Sequence, residues 1–175
     1  MMDSIYENLT HVLCVLLLIA RLGDVGTTYL MSPRLVLEAN PLVRRFGWPY
    51  AVGTLVVCIT PYFSLQVAVA FLMASLLVSA GNAARVWAAR VMGEQAQMEW
   101  MLSLARRGRV SHAIAGVWAS SLFLAAAGGV IMLFYPTTED WGFWLAIGIV
   151  GYGVAIGVHG TFFFVRLFKR AAQSP

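Results

Sequence analysis

The chain has 175 residues, 60% of them hydrophobic and 11% charged, with a formal net charge of +4. A mean hydropathy of +0.77 excludes an ordinary soluble domain and points to a polytopic membrane protein. No basic recognition motif accompanies the positive charge, so nucleic acid is not an expected partner and the Lys and Arg residues read as topology markers.

The N-terminus, MMDSIYENLT, holds Asp3 and Glu7 and no Lys or Arg before the first apolar stretch. It lacks the positive start of a cleaved leader, so the first span is expected to stay in the mature protein. A bilayer core takes roughly 20 apolar residues per helix. Spans are predicted over residues 8–31, 48–63, 66–90, 111–135 and 142–166. The second, WPYAVGTLVVCITPYF, is barely long enough, but aromatic residues flank it at both ends, as in an interfacial belt. The competing reading makes it the front half of one long helix kinked at Pro61. Charge favours the crossing: with five spans all 12 basic residues fall on or toward one side, leaving Asp3, Glu7, Glu139 and Asp140 on the other. The basic side is the cytoplasm. The expected fold is therefore an all-α, five-helix transmembrane bundle forming a single domain over residues 1–175, with the N-terminus outside and the C-terminus cytoplasmic. Cys14 and Cys58 lie in apolar sequence and read as small core residues rather than as a disulfide.

The first span carries Arg21, Asp24 and Thr28 on one helical face. If it ends near residue 31, Asp24 lies about 10 Å and Arg21 about 15 Å inside the cytoplasmic boundary. A lone charge at that depth costs on the order of 3 kcal/mol, so the two require partners or water. The following loop, SPRLVLEANPLVRRFG, is nearly as apolar as a helix, and Pro41 forces Asn40 away from helical angles. It is expected to fold back into the bundle as a re-entrant-like segment, because irregular backbone at membrane depth survives only in shelter.

The third span carries Ser75, Ser79, Asn82 and Arg85 on successive turns, and the fifth carries Tyr152, Ala155 and His159. Asn82 and His159 fall at the depth of Asp24, and Trp118 of the fourth span falls close to it. Between the third and fourth spans, residues 93–107 alternate Met and Leu with Glu and Arg and are expected to form an interfacial helix. Its basic end, with Arg106, Arg107 and Arg109, would meet anionic headgroups. Small residues Ser121, Ala125 and Gly129 are expected to pack against Gly153, Gly157 and Thr161, as small stripes do in bilayers.

These placements predict a polar chamber near the inner leaflet lined by Arg21, Asp24, Thr28, Glu38, Asn40, Asn82, Arg85 and His159. Asp24, Glu38 and His159 are candidate ligands for a divalent cation, the only cofactor suggested. No HExxH or GxSxG motif is present, so no enzyme class is assigned. His11, His112 and His159 differ in depth, which argues against haem.

The run Asp24, Thr27, Thr28 and then Glu38-Ala39-Asn40-Pro41-Leu42 resembles an uncharacterised family of small prokaryotic multi-pass membrane proteins. There an intramembrane Asp and Thr precede a Glu-x-Asn-Pro loop. The resemblance covers about 20 residues and implies a prokaryotic inner-membrane location and a functional loop, but no activity. Three functions fit the sequence: recognition of a lipid headgroup or cation by the chamber, a scaffold subunit whose buried charges fix helix packing within an oligomer or larger complex, and a small proton- or ion-coupled transporter.

Overall fold

The computed structural model describes the backbone of residues 2–173 and the side chains of residues 7–173, so the side chain of Asp3 lies outside the described residues. The described chain is helical, with no strand. In order it forms α1 (Met2–Met31), α2 (Pro41–Phe46), α3 (Trp48–Gly53), a 3-10 helix (Thr54–Tyr62), α4 (Leu65–Met92), α5 (Glu94–Arg107), α6 (Val110–Phe134) and α7 (Trp141–Gln173). Four helices are long and apolar enough to cross a membrane: Glu7–Met31 of α1, α4, α6 and α7. Their exposed faces carry large apolar residues such as Val15, Ile19, Phe123 and Leu133. Such surface is costly in water and suits contact with lipid.

The second predicted span, residues 48–63, is α3 followed by the 3-10 helix rather than one α-helix. It is also not the front of α4. Ser64 is extended (φ −160, ψ 115) and caps α4 by accepting from the Val67 N–H at 3.3 Å. The segment runs antiparallel along α1. Trp48 meets Tyr29 edge to face with ring centroids 5.5 Å apart and donates its indole N–H to the Pro33 carbonyl. Thr54 accepts from Arg21, and the Tyr62 hydroxyl meets His11 Nδ1 at 3.1 Å. From Tyr29 back to His11 an α-helix rises about 27 Å. Residues 48–62 cover about the same length, because a 3-10 turn rises roughly 2 Å per residue. The three residues per turn also sort the side chains into columns. Val56, Ile59 and Tyr62 are exposed at every third position, while Pro61 is buried.

Helix α4 is the centre of the bundle, with α1 on one side and α7 on another, and α6 packs along α7. Bare backbone makes these approaches close. A Cβ on Gly148 would lie 2.5 Å from the Ala70 carbonyl oxygen, and one on Gly81 would lie 2.6 Å from the Tyr152 hydroxyl. In the α6–α7 seam Gly153 rests on Leu124, Ser121 and Ala125, and Gly157 rests on Trp118 and Ser121. Gly129 departs from the predicted stripe: nothing lies within 4 Å of its Cβ position, and Gly128 is buried against Val150 and Ala146 instead. Two steps of four residues overrun two helical turns, whereas a step of seven returns to the same face. Trp118 belongs to this seam too, its indole N–H donating to Thr161 Oγ1 at 3.1 Å, and it does not wall the polar chamber.

At the basic end of the bundle, Met31, Leu37, Ala89, Met98, Ala105, Phe163 and Leu167 form an apolar core. It joins the loop after α1 to α4, α5 and α7. Met98 and Ala105 give α5 a buried face, while Arg106 and Arg107 occupy its last turn.

Candidate functional site: a polar chamber between α1, α4 and α7

Helices α1 and α7 both pack on α4 rather than chiefly on each other, and a cavity of about 320 Å³ lies between them. Arg21, Asp24 and Thr28 line it from α1, Asn82 and Arg85 from α4, and Tyr152 and His159 from α7. The loop closes it with Glu38 and Asn40, and Ala51 and Thr54 form a further wall. The structure thus brings all eight predicted chamber residues to one cavity, from three helices and a loop. It adds Tyr152, predicted only as a neighbour on the His159 face, and Thr54, which sequence reasoning did not single out. Its signal would have been a hydroxyl in an apolar segment facing the charges of the first span.

The charges of α1 are largely satisfied internally. Arg21 Nη1 donates to Asp24 Oδ2 at 2.6 Å, with side-chain exposures of 16% and 15%. Arg21 Nη2 donates to Thr54 Oγ1, and the Thr54 hydroxyl donates to the Ala51 carbonyl. Asn82 Nδ2 donates to Thr28 Oγ1 at 3.0 Å, and Ser79 Oγ lies 3.0 Å from the Ala20 carbonyl, so both tie α4 to α1.

The loop is held by its own polar groups. Ser32, fully buried, donates to Glu94 Oε2 and accepts from the Leu37 N–H. Leu35 adopts φ 56, a left-handed angle that an Asn or Gly takes more readily, and it turns the chain beneath the bundle. Glu38 Oε1 accepts from the Asn40 N–H at 2.6 Å, and Asn40 Oδ1 caps α2 by accepting from the Leu42 N–H at 2.9 Å. Pro41 at the first position of α2 has no N–H to leave unpaired, so Asn40-Pro41 makes a compact helix start.

The predicted cation site is corrected by this geometry. Among the described residues no three His, Cys, Asp or Glu side chains are arranged to hold a metal. Asp24 is turned to Arg21 and Glu38 to the Asn40 backbone, so the two acids and His159 share the cavity without converging. By contrast, Arg85 and His159 form no hydrogen bond or ion pair among the described residues. They are the groups open to a ligand.

Burial pushes the Glu38 carboxyl above its ordinary 4.5, the Asn40 N–H holds it down in part, and the Asp24 charge raises it further. The folded state therefore binds the proton more tightly than the unfolded chain does. Stability contributed by the protonated form is present below pH 4.5 and declines as pH rises through the elevated value. The melting temperature of the purified protein is expected to fall over that window, and Glu38→Gln is expected to flatten the slope. An identical slope in wild type and variant would remove Glu38 as its source.

No protein-family model, curated protein or solved structure matches this chain.

Proposed function

We propose that the chain is an integral membrane protein of five crossings whose chamber, on the cytoplasmic side, binds a lipid headgroup. Beyond the four long helices, the additional crossing, second in chain order, is residues 48–62. It is supported by the equal lengths of that segment and the stretch of α1 beside it, and by the confinement of Lys and Arg to one side, which also supports an outer N-terminus. The loop after α1 then lies at inner headgroup depth, and Arg106, Arg107 and Arg109 meet anionic lipids from the same side.

The observation that carries the chamber reading is the contrast within one cavity. Arg21 and Asp24 neutralise each other, whereas Arg85 and His159 face the space without a hydrogen bond or ion pair among the described residues. A phosphate suits Arg85, since a guanidinium forks onto two of its oxygens. An ammonium or hydroxyl beyond it suits the remaining carboxylate oxygens of Glu38 and Asp24. About 320 Å³ is at the small end of ligand sites, as a headgroup rather than a whole lipid requires. The test uses purified full-length protein titrated with dihexanoyl phosphatidylethanolamine. Wild type is expected to bind saturably, and Arg85→Gln to bind about tenfold more weakly, a loss of about 1.4 kcal/mol, with an unchanged ligand-free melting temperature. Equal affinity in the two proteins, or no saturation in either, would refute the chamber as a headgroup site.

A structural role for part of the same cluster is favoured by the Arg21, Asp24 and Thr54 network, which joins α1 to the 3-10 helix. In this reading those three residues fix the walls, and the open groups Arg85 and His159 meet the ligand.

A further inference from the structure

Outside the chamber, a second set of basic groups gathers where α2 meets the end of α7. Arg44 lies in the last turn of α2, and Arg166 and Arg170 lie one turn apart on one face of α7. Arg166 is fixed in place: its Nη2 donates to the Glu38 carbonyl at 2.9 Å, and its guanidinium stands over the Phe163 ring at 5.5 Å from the centroid. That leaves most of its five donors uncommitted. Arg44 is near enough for the charge of Arg170 to act on it, and Arg166 feels both. Arg44 Nη1 is shut off from solvent and has no hydrogen-bond partner among the described residues. Burial and the neighbouring positive charge both push the Arg44 guanidinium below its usual range.

Like charges brought this close repel, and a buried donor left unpaired adds to the cost. The Glu38 charge acts on Arg166 from a distance, but no acid at this end of the bundle pairs directly with Arg44 or Arg166 among the described residues. Glu38 directs Oε1 to the Asn40 N–H, and Glu94 accepts from Ser32 Oγ and the Arg34 N–H. No Asp or Glu among the described residues pairs with Arg44 or Arg166. A small anion with several acceptor oxygens would answer both the repulsion and the empty donor.

We propose that Arg44, Arg166 and Arg170 form a phosphate-binding site at the junction of α2 and α7, separate from the chamber. The site stands whether or not the chamber binds a headgroup. Guanidinium forks match the oxygen spacing of a phosphate, which is why arginine and not lysine suits such a place. The phosphate can belong to an anionic lipid or be free in solution. Exposed Leu42 and Phe46 flank Arg44 on the same short helix, an apolar surface that lies comfortably at the headgroup boundary and fits the lipid source.

The experiment measures binding of inorganic phosphate and of dihexanoyl phosphatidylglycerol to the purified full-length protein, with dihexanoyl phosphatidylcholine as the reference lipid. Variants are Arg44→Gln, Arg170→Gln and, as a control for net charge, Arg90→Gln at the end of α4. The expected result is saturable binding that weakens about tenfold in Arg44→Gln and in Arg170→Gln and is retained in Arg90→Gln. Binding of phosphatidylglycerol without inorganic phosphate assigns the lipid source, and binding of both assigns the phosphate group itself. Should Arg44→Gln fail to fold, Arg170→Gln and Arg44→Lys carry the comparison, Lys being expected to bind more weakly than Arg. Binding that is absent in wild type, equal for the three phosphate probes, or lowered as much by Arg90→Gln would overturn the site.

Discussion

Asp24→Asn is expected to lower the melting temperature of the purified protein by roughly 5–10 °C, equivalent to a loss on the order of 3 kcal/mol. The substitution removes the anion from a pair whose side chains are only 16% and 15% exposed. It leaves the Arg21 guanidinium charged within the first span, with Thr54 as its remaining partner and Nε already unpaired. The loss comes from that stranded charge more than from the attraction given up. Removing the cation as well, in Arg21→Gln with Asp24→Asn, should therefore restore part of the stability, and a double-mutant cycle measures how much. A melting temperature within about 1 °C of wild type for Asp24→Asn would show that water already screens the pair.

The second large effect belongs to the contact of α4 with α7. In Gly148→Val the first added carbon meets the Ala70 carbonyl oxygen at 2.5 Å and Met73 Cβ at 2.8 Å, so α4 and α7 must separate. Backbone does not yield as a flexible side chain does, and a loss of about 3 kcal/mol or more is expected, at the upper end of overpacking effects. Because α4 and α7 also hold Asn82, Arg85 and His159, the same variant should weaken headgroup binding. Gly129→Ala is the matched control. Open space surrounds that position, and alanine favours the helix by up to about 1 kcal/mol, so stability should hold or rise slightly. Equal melting temperatures for Gly148→Val and wild type would mean that α7 is not seated on α4 as described.

The helical class and the four long spans were legible because the apolar runs are long and their ends are marked by charge or by a capping residue such as Ser64. The juxtaposition of Asp24, Asn82 and His159 followed from counting 1.5 Å per residue along helices forced into a common frame by the bilayer. What the sequence left unread was finer than a turn. Gly128 rather than Gly129 enters the α6–α7 seam because a spacing of four drifts off the face. The Glu38 carboxylate turns back to the Asn40 backbone because Pro41 and the capping Asn40 arrange a tight helix start, so it does not converge with Asp24 and His159 on a metal. Thr54 escaped notice because its importance lies in the helix beside it. The 3-10 geometry of residues 54–62 was equally hidden, since its three-residue column of Val56, Ile59 and Tyr62 emerges only once exposure is known.

In the proposed crossing, that stretched segment would make the chamber responsive to its surroundings. A rod proposed to reach across by rising faster per residue would have no slack: tilting, the usual answer of a long helix to a changed bilayer, would take it away from both interfaces. Ala51 and Thr54 sit on this rod and on the chamber wall together. Longer acyl chains in the surrounding lipid would therefore pull first on the strut that Thr54 makes with Arg21, and the pocket would register membrane thickness through its shortest wall.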